Sequence, residues 1–174
     1  AYSDFKWRSI GLIFHMSYEL AQRVGDMRNL TWKSIDFTNK RMDLEQSKRG
    51  AEVHLPISES LLKMLVQQKK DFDFQEYVAP RTTPKNNSYS HYTLNEISKL
   101  INEVKDEANL PQELQVRDLR RTAITEMVEA GVDLVGIMQV SGHQSVQSVK
   151  PYLVNTYSGA STALERRFNN DNKH

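Results

Sequence analysis

The sequence predicts a mainly α-helical domain that carries one small three-stranded antiparallel sheet. Three observations predict it. Apolar residues recur at helical spacing through most of the chain. Strict apolar–polar alternation is confined to the stretch between Ile35 and Ile57. Turn-forming pairs, Asn39-Lys40 and Arg49-Gly50, divide that stretch into three short runs.

Residues 7–22 place Ile10, Leu12, Ile13, Met16 and Leu20 on one helical face. After Gly25, the segment DMRNLTW continues as a short helix with Met27 and Leu30 on one side. Ile35 and Phe37, then Met42 and Leu44, then Val53, Leu55 and Ile57 give strands at roughly 34–37, 41–46 and 52–57. Ser58 caps a helix over about 59–70, and Tyr77-Val78 reads as a short extended piece. Residues 80–92, rich in Pro, Asn and Ser, form a loop. Thr93 opens a helix holding Leu94, Ile97, Leu100, Ile101 and Val104. Pro111 marks the next break, and helices follow at about 119–130, 133–140, 144–150 and 158–168.

Composition bounds the chemistry. The 174 residues can bury a real core, and 39% hydrophobic with 26% charged residues is ordinary for a globular protein. The absence of cysteine excludes disulfides, thiolate catalysis and cysteine-ligated zinc, and fits a cytoplasmic setting. No signal peptide, membrane span, repeat or convincing metal-ligand cluster is visible, so no metal or other cofactor is expected. A net charge of +1 is low for a generic nucleic-acid binder.

Local charge says more. In VRDLRRTAITEMVEAG, Arg117, Arg120 and Arg121 crowd the start of a helix that Gly131 ends. A helix N-terminus carries partial positive charge and disfavours cations. Arg117 and Arg120 are three apart and share a face, whereas Arg121 points elsewhere. Two readings stay open on this segment alone. One is a phosphate pocket, because guanidinium forks match phosphate oxygens. The other is a solvated basic turn, or ion pairs with Asp118 and Glu113.

Four stretches together resemble the catalytic domain of the tyrosine recombinases, the phage-integrase family. QRVGDMRNLTWKSIDF resembles the first arginine box and implies a catalytic arginine at Arg23 with an acidic companion at Asp26. EQSKRGAEVHLPI resembles the β-hairpin lysine segment, with Lys48 at the lysine. RDLRRTAITEMVEAGVDLVGIMQVSGH resembles the second box, with Arg120 as its arginine and His143 at the family's usual spacing. KPYLV implies the nucleophile at Tyr152. The resemblance runs from about residue 7 to 168 and departs from the pattern at one place. The second box usually begins with histidine, and Arg117 stands there. Arginine stays charged at physiological pH and cannot act as a general base, though it can donate to a phosphate.

The resemblance implies an enzyme: a site-specific DNA recombinase or integrase of a phage or other mobile element, acting on double-stranded DNA. It would cut one strand at a time, leaving a 3′-phosphotyrosyl link and a free 5′-hydroxyl. Arg23, Arg120 and His143, with Arg117, would hold the non-bridging oxygens. Lys48 would protonate the leaving oxygen. The family works as a tetramer on DNA, and this chain alone could be a monomer. A single catalytic domain over 1–174 is expected, with its core at 7–157 and a C-terminal helix and tail at 158–174. Because the first residue is Ala1, a fragment lacking an N-terminal DNA-binding domain is expected. Ala160, Ala163, Leu164 and Phe168 share a helical face that could pack at home or on a neighbouring protomer. Two alternatives are a type IB topoisomerase-like relaxing enzyme and a catalytically impaired DNA-binding accessory protein of the same fold.

The sequence also offers rival assignments. Tyr157 is a second candidate nucleophile and Lys40 a second hairpin lysine. Trp32 could stack on a base but reads as core. His15, His54, His91 and His174 lack partners at metal spacing and read as surface or packing residues.

Overall fold

The computed structural model describes residues 5–48, 50–84, 88–153, 161, 164, 165 and 167–169. It contains the predicted mixture of helices and one sheet. Helix α1 spans Arg8–Glu19 and α2 spans Val24–Arg28. Strands β1 (Ile35–Asp36), β2 (Arg41–Glu45) and β3 (Glu52–Pro56) form an antiparallel sheet in the order β1-β2-β3. Four longer helices and a short one follow: α3 (Glu59–Phe72), α4 (Leu94–Glu107), α5 (Val116–Glu129), α6 (Leu134–Ser141) and α7 (Val146–Val149). A 3-10 turn over Lys150–Tyr152 follows α7.

The alternation seen in the sequence sets the sheet register. Met42 pairs with Leu55 and Leu44 with Val53, and Met42, Val53 and Leu55 are buried. They join Ile10, Leu12, Ile13 and Met16 of α1 and Leu61 and Leu65 of α3 in the main core. Full burial of each such side chain contributes about 2 kcal/mol. A second, smaller core gathers Ala21, Ala123, Ile124, Ile137 and Val149, with Tyr152 packed against it. Helix α1 also packs directly on α5, so it links the two regions. Trp32 packs on the main core and donates its indole N–H to the Phe72 carbonyl at 3.2 Å, as a core residue should. Tyr77 bridges Thr31, and Val78 N–H reaches the Leu30 carbonyl, so the expected extended piece is present.

Three helix boundaries differ from the sequence expectation. Helix α5 begins at Val116 rather than near 119, because Asp118 turns back to accept the Gln115 N–H at 2.8 Å. Asp118 is thus a cap, not an arginine partner. Helix α2 starts at Val24, before Gly25, and stops at Arg28, with a separate 3-10 turn over Trp32–Ser34. The expected helix over 144–150 is one turn, Val146–Val149, continued by the 3-10 turn that ends at Tyr152. The C-terminal helix expected at 158–168, with Ala160 and Ala163, falls largely outside the described residues, as do Tyr157, His174 and Arg49. Among the described residues, no helix is long and apolar enough to cross a membrane.

Candidate active site

Local chain reversals build the site. Helix α1 ends in a Schellman motif: Ala21 N–H bonds Tyr18 O, Gln22 N–H bonds Ser17 O, and Ala21 sits at φ 52°. The reversal delivers Gln22 and Arg23 side by side. Helix α6 ends on Gly142 at φ 68°, which delivers His143. The opening turns of α5 present Arg117 and Arg120 on one face, as their spacing predicts.

These segments converge on a cavity of about 420 Å³. Its lining includes Arg23, Arg117, Arg120, His143 and Tyr152, drawn from four separate stretches of sequence. Arg117 is exposed at the rim and makes no ion pair among the described residues, so the carboxylate-paired reading of this segment does not hold. Arg121 is exposed and takes no part in the lining.

Arg120 is the buried centre, only 8% exposed. Its Nη2 donates to the Ser141 carbonyl at 2.8 Å and lies 3.4 Å from His143 Nε2. Its Nη1 is buried without a hydrogen-bond partner among the described residues. Burial, and then the nearby Arg23 guanidinium, bring the Arg120 pKa down to about 10. A buried cation beside a second, half-buried one is disfavoured, and an anion between them offsets that penalty.

A buried amide network fixes the pair. Arg23 Nη1 donates to Gln46 Oε1 at 2.8 Å. Gln46 Nε2 donates to Gln22 Oε1 at 2.6 Å and to the Ser141 carbonyl at 2.9 Å. Gln22 Nε2 donates in turn to the Leu20 and Val140 carbonyls, both at 2.7 Å. Every amide group in the chain of contacts is used, which makes the arrangement rigid. Gly142 closes against it: a Cβ there would stand 2.5 Å from Gln46 Nε2.

Asp26 behaves differently from a simple arginine companion. It stands 3.7 Å from Arg23 Nη1, beyond hydrogen-bond length. Its Oδ1 accepts from the Ser47 N–H at 2.9 Å and the Ser47 hydroxyl at 2.6 Å. Gln46 orients Arg23, and Asp26 fastens the β2–β3 hairpin beside it. Lys48 follows Ser47 on that hairpin, exposed and outside the cavity lining. Lys40 is paired with Glu59. Tyr152 is half-buried, its ring 6.1 Å from that of His143.

The other histidines among the described residues have local partners. His15 meets Glu19 at 2.8 Å, His54 meets Asp43 at 2.7 Å, and His91 stacks edge-on to Tyr77. Sequence reasoning missed Gln22, Gln46 and Ser141. Their only signal is polarity inside otherwise buried runs, which cannot be recognised before the burial is known.

Similarity to known sequences gives the chain's family. Residues 6–158 match the phage integrase family. The chain belongs to that family. Among its relatives, the tyrosine recombinase XerC of Oceanobacillus iheyensis is 24% identical over 151 residues, covering 80% of this chain and 47% of the relative. The shufflon-specific DNA recombinase of Escherichia coli is 24% identical over 142 residues, covering 81% and 33%. XerA recombinase superposes with a TM-score of 0.68 at 19% identity, over 95% of this chain and 57% of that one. The integrase of transposon Tn1549, solved with transposon right end DNA, gives 0.72 at 15% identity, over 95% and 60%. These likenesses establish the integrase catalytic fold. The chain spans less than two thirds of the length of each of these proteins.

Proposed function

We propose that this chain is the strand-cleaving part of a site-specific DNA recombinase, working through a 3′-phosphotyrosyl intermediate at Tyr152. The observation that carries the reading is the guanidinium pair, buried Arg120 and half-buried Arg23, in one cavity with His143 and Tyr152. Attack on a phosphodiester builds negative charge on its non-bridging oxygens. Two fixed guanidiniums, with Arg117 at the rim, meet that charge without rearranging. Tyr152 attacks phosphorus, the P–O5′ bond breaks, and the departing oxygen takes a proton from Lys48 on the hairpin. The phosphotyrosyl bond conserves the energy of the broken one, so rejoining needs no nucleotide.

Double-stranded DNA is the proposed partner, with four protomers on a recombining pair of sites. Given the net charge of +1, binding by this chain alone should be weak and steeply salt-dependent.

Covalent trapping tests the reading. A nicked duplex carrying the junctions of the encoding element is incubated with the protein, denatured and run on a gel. A detergent-resistant band lost in Tyr152→Phe but kept in Tyr157→Phe is the expected result. DNA binding without any covalent band would favour the accessory-protein reading, for which Arg117 at the usual histidine position speaks. Arg117→His would then tell whether that one residue had silenced the site.

A further inference from the structure

We propose that Lys105, buried on α4 and unused by the chemistry above, is a positioning residue for Arg117: its ammonium pins the link into α5 and so fixes where that guanidinium meets the phosphate. The inference rests on the recombinase reading above.

Lysine is almost never fully buried without a partner. Lys105 is only 5% exposed, and its partners are main-chain oxygens. Its Nζ donates to the Gln112 carbonyl at 2.8 Å and to the Leu114 carbonyl at 3.3 Å. Both carbonyls belong to the link between α4 and α5. An ammonium carries three donors, so one side chain can hold both oxygens at once. An apolar chain of the same length could hold neither.

The link has little else to fix its path. Residues 109–115 are all exposed, Leu110 and Leu114 among them, so burial does not set their course. The neighbouring ties are local and lie at the surface: Leu110 N–H reaches the Lys105 carbonyl at 2.9 Å, and the Gln112 amide donates to Asp106 Oδ1 at 2.7 Å. A cavity of about 270 Å³ lies where α1, α4 and α5 meet, bordered by Val104 and Lys105 on α4 and by Leu119 and Thr122 on α5. Side-chain packing on this side of α5 is therefore incomplete. The Lys105 bonds come from a buried, charged donor, the kind that holds most strongly.

The consequence falls on Arg117 first. Leu114 leads directly to Gln115, whose N–H binds Asp118 to start α5, and Arg117 stands in that first turn. Farther along, Ala123 and Ile124 anchor α5 in the smaller core, and Arg120 is tied to the Ser141 carbonyl. Arg117 is exposed and shares neither anchor. Its place is inherited from the link. A misplacement of about 1 Å in an aligned group can slow a reaction by about 10²-fold.

Lys105→Met keeps an unbranched side chain of similar length and removes the charge. Hydrogen exchange read by mass spectrometry tests the link without any chemistry. Amides of residues 112–119 should exchange faster in the variant, with α6 unchanged and the melting temperature close to that of the wild type. Unchanged exchange there would overturn the proposal, whether or not the protein is a recombinase. So would a collapse of the melting transition, because Lys105 would then hold the domain rather than the link. Adduct formation on the nicked duplex gives a second readout, as a double-mutant cycle. Lys105→Met should slow it by about tenfold, and should add nothing in an Arg117→Ala background. Equal slowing in both backgrounds, or none in either, would sink the assignment to Arg117 and leave the recombinase reading intact. No adduct from the wild type would instead count against that reading.

Discussion

The arginine pocket and the hairpin tip are a few residues apart in sequence at Gln46 and Lys48, yet they are built by opposite rules. Gln46 is completely buried and bonded on every side, and Arg120 is buried as well. Lys48 is exposed and outside the cavity lining. Tyr152 sits between these extremes, half-buried at the end of a 3-10 turn. The difference follows from what each group must do. Charge stabilisation depends on donors that are already in place when charge develops. A nucleophile and an acid must approach a substrate and withdraw from it, and a buried, fully bonded side chain cannot.

The comparison can be broken, starting with the largest effect. Tyr152→Phe should abolish the covalent adduct while a mobility-shift assay still detects DNA binding. Arg120→Ala should lower the single-turnover cleavage rate by on the order of 10²–10³, the usual cost of one oriented donor at a developing anion. Arg120→Lys should recover little of it, since an ammonium cannot span both Ser141 O and a phosphate. Lys48→Ala should slow cleavage by about 10²-fold and leave the melting temperature unchanged. A substrate with sulfur replacing the 5′-bridging oxygen needs little protonation on departure. It should rescue Lys48→Ala and fail to rescue Arg120→Ala. Rescue of both would erase the distinction between clamp and acid.

Gln46→Ala sharpens the comparison because it strikes the clamp without touching the reacting groups. Leaving the Gln22 amide and the Ser141 carbonyl short of partners should cost about 2 kcal/mol in urea unfolding, together with a fall in cleavage rate. A lower rate with unchanged stability would mean that the amide acts on substrate rather than on Arg23.

The smallest effect lies away from the site. Burial pushes the Glu96 carboxyl up, but the Arg81 fork and the Thr93 N–H and hydroxyl outweigh it and bring it down to about 2. A carboxylate lowered on folding contributes its stability above its ordinary value of 4.5 and loses it as the pH falls towards about 2. Glu96→Gln should therefore melt below the wild type at neutral pH, with the gap closing across that acid window. Glu96 is partly exposed, so the gap should be modest and should shrink with salt.

Much of this was legible in the sequence. Alternation fixed the three strands within about a residue, because a one-residue slip would turn Met42, Val53 and Leu55 outward. Arg117 and Arg120 stood out by their charge at a helix start, and the family resemblance pointed to Arg23, His143 and Tyr152, which line the same cavity. What stayed hidden has a common physical cause. Helix α1 is ended by the left-handed Ala21 just past its cap, and nothing about alanine announces a left-handed residue. Helix α5 starts early because Asp118, which the sequence offered equally as an ion-pair partner, caps it instead. Gln22, Gln46 and Ser141 meet only after α1, the hairpin and α6 have come together. Their roles belong to tertiary contact, which local pattern does not encode.

The close approach of Gly142 to Gln46 has an evolutionary consequence. A side chain at position 142 would strike the Gln46 amide, and a shorter residue at position 46 would leave room for one. The two positions are 96 residues apart in the numbering of the chain, yet neither is free to drift alone. Descendants of this protein should inherit Gly142 and Gln46 together or exchange them together. A lineage that lost the glutamine first would pass through an ancestor with a loosened Arg23.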